Sequence, residues 1–103
     1  MRKILVTLTL LTGALPALAE DTAEELFRSR SCQACHRSDV RLVGPSLQDI
    51  AARYTKQDDA TSTLAGRIRN GGQGNWGAIP MPPNRVTESE ANALARWILQ
   101  QKP

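Results

Sequence analysis

The apolar positions of this chain follow two different rhythms. Residues 4–15 are apolar throughout except at Thr7, Thr9, Thr12 and Gly13. From residue 22 onward the apolar side chains recur every three or four positions, the period of one helical face. Thr22-Ala23-Glu24-Glu25 has the form of a capping box, in which the hydroxyl accepts from the amide of Glu25 and the carboxylate reaches back. It predicts a first helix running to about Ser31, with Ala23, Leu26, Phe27 and Arg30 on one face. Residues 41–45 read as a loop closed by Gly44-Pro45. Ser46 caps a second helix, with Leu47, Ile50, Ala51 and Tyr54 inward. The polar stretch 58–63 predicts a turn leading into a third helix, with Leu64, Ala65 and Ile68 inward and Gly71 as a left-handed stop. Thr87-Glu88-Ser89-Glu90 is a second capping box, and Ala91, Leu94, Trp97 and Ile98 form the stripe of a final helix. No alternating run flanked by hairpin turns is present, so no strand is expected. The fold class is all-α, about four helices, with a Gly/Pro-rich loop over 71–84.

The first rhythm is that of an export signal. Met1, Arg2 and Lys3 give a positive start, Pro16 ends the apolar stretch, and Ala17-Leu18-Ala19 is a small-x-small cleavage pattern. The stretch is shorter than the roughly 18 to 20 residues of a membrane span, so stable membrane insertion is not expected. The expectation is a cleaved signal peptide over residues 1–19 and one domain over residues 20–103, placed in the periplasm.

Removing the leader changes the charge. Arg2 and Lys3 are two of the 13 basic residues, and without them the surplus over 10 acidic residues falls to a single charge. A nucleic-acid-binding domain carries a marked basic surplus, so that class is set aside. A domain this small is marginal without help beyond its own side chains. Its aromatics are Phe27, Tyr54, Trp76 and Trp97 alone. A large flat cofactor would complete such a core.

Cys32-Gln33-Ala34-Cys35-His36 supplies the means. Cys-x-x-Cys-His is the attachment signature for c-type haem. Two thiols separated by two residues reach the two vinyl groups on adjacent porphyrin edges, and the next side chain projects its imidazole at the iron. These are the chain's two cysteines and its one histidine. Three rivals lack their context. A thioredoxin-like redox pair wants a βαβ setting. Zinc wants about four ligands. A bare disulfide leaves His36 without a role.

Haem iron has a second axial position, open to His, Met, Cys or Tyr. With the leader gone, Met81 is the one methionine left. It lies in Ile79-Pro80-Met81-Pro82-Pro83, where three prolines hold the chain extended and lower the entropy lost on presenting a thioether. Tyr54 and an open sixth position are the alternatives.

With these residues the chain resembles the class I cytochromes c, and within them the small bacterial cytochrome c-551 group. The resemblance covers nearly all of residues 20–103. Its marks are Glu20-Asp21, Leu26-Phe27, the Cys32–His36 motif, Val43-Gly44-Pro45, Arg67-Ile68, Asn70-Gly71, Trp76-Gly77, the 79–84 string and Trp97. Ala78 stands where a proline is expected. The resemblance implies one covalent haem c, attached at Cys32 and Cys35, with His36 and Met81 on the iron. It implies that the Pro45 carbonyl fixes the His36 ring and that Asn84 bonds near the Met81 sulfur. Arg67 and Trp76 are expected to meet a propionate, Trp76 by packing on the haem with its indole N–H free to donate. Phe27 and Trp97 are expected to touch where the first and last helices cross.

The function so implied is single-electron shuttling by a monomer in respiration and denitrification, not enzyme catalysis. Docking is expected at a small apolar rim of Gln33, Ala34, Ala78, Ile79, Pro80, Pro82 and Pro83. The family suggests a nitrite reductase, a terminal oxidase, a quinol-oxidising membrane complex or a cupredoxin as partner. The competing functions are a peroxidase or gas sensor with a labile Met81 bond, and a haem-free interaction domain.

Overall fold

Four helices and one 3-10 turn make up the fold in the computed structural model, which describes residues 4–5, 7–14 and 21–103. Among the described residues there is no strand, only two isolated bridges, His36 with Arg41 and Gly72 with Met81. The expected cleavage pattern at residues 17–19 lies outside the described residues. Of the leader, Ile4, Leu5, Leu8, Leu10 and Leu11 are all exposed. No helix among the described residues is long and apolar enough to cross a membrane.

Helix α1, Ala23–Ser29, opens on the expected capping box, with both reciprocal bonds at 3.2 Å. It stops two residues short of the predicted end. Arg30 has left helical geometry at φ −95° and ψ 16°, and Ser31 is left-handed at φ 61°. That reversal turns the chain directly into the 3-10 turn Cys32–Ala34, an element the apolar period did not reveal. Helix α2, Leu47–Tyr54, is capped by the Ser46 hydroxyl, which accepts from the Asp49 amide at 3.0 Å. Helix α3, Ala60–Asn70, begins inside the stretch predicted as a turn and has no side-chain cap. Its start is set by burial, since Ala60 is in the core. Gly71 ends it with φ 75° and ψ −177°, a positive φ that leads into extended chain rather than a left-handed helical turn. Helix α4, Glu88–Leu99, carries the second capping box.

Helix α4 packs against α1, α2 and α3 and is the spine of the domain. Leu94 is 1 % exposed, as are Leu26 and Leu47. Burying each such leucine stabilises the fold by roughly 1.5–3 kcal/mol. Phe27 and Trp97 meet at the α1–α4 crossing with ring centres 5.3 Å apart and planes tilted by 51°, a favourable aromatic geometry. Arg30, expected on one face with Ala23, Leu26 and Phe27, is exposed and pairs with Glu90 at 3.2 Å, tying α1 to the start of α4. The remaining chain, 31–46 and 71–87, wraps the open side of this helical frame.

Candidate functional site

The two wrapping segments face each other across an apolar slot. One cleft, about 730 Å³, is lined by Cys35, His36, Arg67, Trp76, Ile79 and Met81 among others. A second, about 460 Å³ and almost wholly apolar, is lined by Cys32, His36, Leu47, Met81, Leu94 and Ile98 among others. Both share His36, Ile50 and Met81.

The Cys-x-x-Cys-His wall is rigid. Cys35 and His36 both donate backbone N–H bonds to the Cys32 carbonyl, at 3.1 and 3.0 Å. Gly44 returns a bond to the Cys35 carbonyl at 2.8 Å. The first free amides of α2, Leu47 and Gln48, donate to the Arg37 and Ser38 carbonyls at 2.9 and 3.0 Å. The helix end is thus satisfied by the loop that carries the motif. Arg37 also donates from its guanidinium to the Gln33 carbonyl.

The His36 ring is held from two sides. Its Nδ1 lies 2.8 Å from the Pro45 carbonyl. A carbonyl only accepts, so Nδ1 carries the proton and Nε2 keeps its lone pair. Gly44 lies against the ring, and a Cβ there would come within 2.6 Å of Cε1. Burial pushes the Cys32 thiol up from its ordinary value; the neighbouring Cys35 acts in the same direction, against a backbone hydrogen bond that lowers it. Cys32 and Cys35 are not joined to each other in a disulfide.

The opposite wall presents Met81. Its N–H and C=O pair with Gly72 at 2.8 and 3.0 Å, closing a loop over residues 72–81. Asn84 splices the far side of this segment to α3. Its backbone N–H donates to the Ile68 carbonyl at 3.2 Å and its side-chain amide to the same carbonyl at 2.9 Å. A further contact runs to the Pro82 carbonyl at 3.4 Å. The Asn84 amide therefore serves backbone carbonyls here, where a bond near the Met81 sulfur was expected.

Arg67 and Trp76 come together at one end of the slot, with Tyr54 and Arg53. The Arg67 guanidinium donates to the Tyr54 hydroxyl and lies 5.4 Å from that ring's centre. The ring of Trp76 sits 6.5 Å from Tyr54 and carries Arg53 over its face at 4.4 Å. The sequence singled out neither Arg53 nor Arg41, whose guanidinium donates to the Trp76 carbonyl at 3.0 Å. Nor did it foresee Gly72 as the partner of Met81. No local pattern signals the arginine contacts, which span 35 and 22 residues of chain.

The residues fit a haem. The slot is apolar and is flanked by the two thiols. An unprotonated imidazole nitrogen and a thioether line the same space, and a basic side chain stands at its end. This chemistry leaves one class of protein, a small helical domain folded around a covalently held porphyrin. Comparison with known proteins agrees. Residues 21–102 match the model of the family described as Cytochrome c. The chain is 52 % identical to a cytochrome c-551 of Stutzerimonas stutzeri, over 99 % of this chain and all of that one. It is also 52 % identical to a cytochrome c-551 of Pseudomonas aeruginosa, over 96 % of this chain and 92 % of that one. The crystal structure of Nitrosomonas europaea cytochrome c552 superposes with a TM-score of 0.74 at 50 % identity, covering 77 % of this chain and 99 % of that one.

The chain belongs to the cytochrome c family. It carries one covalently bound haem c and is a cytochrome c-551-like electron carrier rather than an enzyme.

Proposed function

We propose that this protein is an exported single-electron shuttle whose iron is held by His36 and Met81, and that it serves a respiratory or denitrifying chain. The observation that carries the reading is that His36 and Met81 line both clefts of the slot, each anchored through its own backbone. When bound, the haem supplies an iron that gains and loses one electron.

The rest falls to the chain. Cys32 and Cys35 would hold the porphyrin edge through thioethers. Pro45 keeps the His36 ring in the tautomer whose Nε2 lone pair faces the metal. Met81 offers a soft thioether that favours reduced iron, so this ligand pair raises the potential. The apolar walls act in the same sense by penalising the additional positive charge of the oxidised state. Arg67, at the end of the slot beside Tyr54, would offer a positive charge to a haem propionate. If His36 and Met81 both bound the iron, no position on it would be left open to small ligands or peroxides.

Electrons enter and leave at the exposed rim. Gln33, Ala34, Ala78, Ile79, Pro80, Pro82 and Pro83 are exposed, and Ile79, Pro80 and Pro82 also line the first cleft together with Val43. Contacts between redox proteins are typically small and transient, and a low apolar lip suits them. The partners proposed are a nitrite reductase, a terminal oxidase, a quinol-oxidising complex or a cupredoxin. Residues 1–19 are proposed as a cleaved signal for the periplasm, a reading supported by the exposed leader leucines, which join no core.

The test is the capacity of the reduced protein to bind carbon monoxide at neutral pH, beside stopped-flow oxidation by each candidate partner. The reading expects no binding and fast oxidation by at least one of them. Ready binding would instead mark a site with an open iron. N-terminal sequencing of the exported protein checks the cut after Ala19.

A further inference from the structure

Two arginines grip adjacent residues of the loop that carries Met81. Arg41, five residues after His36, donates from Nη2 to the Trp76 carbonyl at 3.0 Å. Arg53, on α2, donates from Nη1 to the Asn75 carbonyl at 2.6 Å. The same Arg53 guanidinium lies over the Trp76 ring at 4.4 Å. Neither arginine is in an ion pair among the described residues. Their guanidinium groups are committed to the loop.

The loop's own architecture gives these ties a purpose. Its neck is the Gly72–Met81 pair of backbone bonds. Its tip is a tight turn in which Gly74 donates to the Gly77 carbonyl at 3.2 Å, and Asn75 and Trp76 lie inside that turn. No helix spans the residues between neck and tip. Left to itself, such a segment opens locally far more readily than the helical frame. Arg41 reaches it from the wall that bears His36, and Arg53 from α2.

We propose that Arg41 and Arg53 are positioning residues for Met81, holding the 72–81 loop shut and so setting how often the thioether leaves the iron. The inference rests on the reading of Met81 as the axial ligand. For Met81 to swing away, the loop must lift, and lifting it breaks both carbonyl ties and the stacking on Trp76. Hydrogen bonds from a charged donor and an exposed cation–aromatic contact each contribute modestly, but since both must break before the loop lifts, together their loss raises the opening rate about tenfold.

The experiment mixes the oxidised holoprotein with imidazole, a neutral ligand that occupies the iron only after Met81 has left. At high imidazole the observed rate levels off at the rate of loop opening. The variants are Arg41→Gln, Arg53→Gln and the double substitution. Glu90→Gln, which loosens the α1–α4 tie far from the loop, controls for a general loss of stability. The expected result is a limiting rate about tenfold higher in the double variant, smaller increases in each single variant, and no change in Glu90→Gln. A limiting rate unchanged in the double variant, or raised equally by Glu90→Gln, overturns the inference. If the unsubstituted protein shows no plateau and no sulfur–iron absorption band, the reading of Met81 itself fails, and this inference with it.

Discussion

Gly72 and Met81 exchange both of their main-chain hydrogen bonds, at 3.0 and 2.8 Å, across a loop with no helix of its own. Gly71 stands immediately behind this pair. A Cβ at Gly71 would come within 2.5 Å of the Met81 carbonyl oxygen, and its φ of 75° lies where side chains are rarely tolerated. Backbone, not a movable side chain, blocks the space. Gly71→Ala is therefore expected to cost about 2 kcal/mol or more. It should also displace Met81, weakening the sulfur–iron band of the oxidised protein. Urea unfolding and the visible spectrum check the two effects separately.

The opposite wall makes a parallel prediction. Gly44→Ala places a Cβ within 2.6 Å of the His36 ring. The ring must tilt, and its 2.8 Å bond to the Pro45 carbonyl must lengthen. The expected outcome is a lower yield of haem-loaded protein and a shifted Soret band, read by absorbance per polypeptide. Gly66→Ala meets nothing within 4 Å and, inside α3, should if anything stabilise, so it serves as the comparison without a clash.

Ser31 shows how a strained residue is tolerated for the sake of the site. Its φ of 61° puts a side-chain-bearing residue in the left-handed region where the chain turns from α1 into the Cys32–Ala34 turn. Left-handed geometry costs an ordinary residue roughly 1–2 kcal/mol, and glycine's greater unfolded freedom returns part of that. Ser31→Gly is thus expected to stabilise the protein by about 0.5 kcal/mol. A thermal or urea midpoint measured on the haem-loaded protein checks it.

The link between α1 and α4 depends on pH. The Thr87 backbone N–H holds the Glu90 carboxyl below its ordinary value of 4.5, and Arg30 adds to the effect. A carboxyl depressed in the folded state stabilises the fold fully above its unfolded value and loses that contribution as pH falls through the folded one. Glu90→Gln should therefore lower the unfolding midpoint at neutral pH. The gap to the unsubstituted protein should close in acid, below about pH 4.5. Urea midpoints across that range test the sign.

Most of the frame could be read from residue spacing. Both capping boxes, the Ser46 cap and the inward faces of α2 and α4 follow from residues three or four apart, and the Phe27–Trp97 contact was implied by the family resemblance. The Cys-x-x-Cys-His element was readable because covalent attachment fixes its spacing. What stayed hidden is non-local. Arg53 reaches Asn75 and Arg41 reaches Trp76 over more than twenty residues of chain. The start of α3 at Ala60 was missed because polar side chains at 58–63 resemble a turn, while one buried alanine decides the matter. Asn84 carries a side chain whose type suits either a sulfur or a carbonyl partner. The nearby end of α3 supplies Ile68 as the acceptor.

The central claim is that His36 and Met81 both hold the iron, and Met81→Ala tests it most directly. The measurement is the far-red sulfur–iron absorption of the oxidised protein, taken with its reduction potential. The unsubstituted protein should show the band. Met81→Ala should keep its covalent haem, lose the band, bind added ligands and fall in potential. A variant with unchanged band and potential would contradict the account.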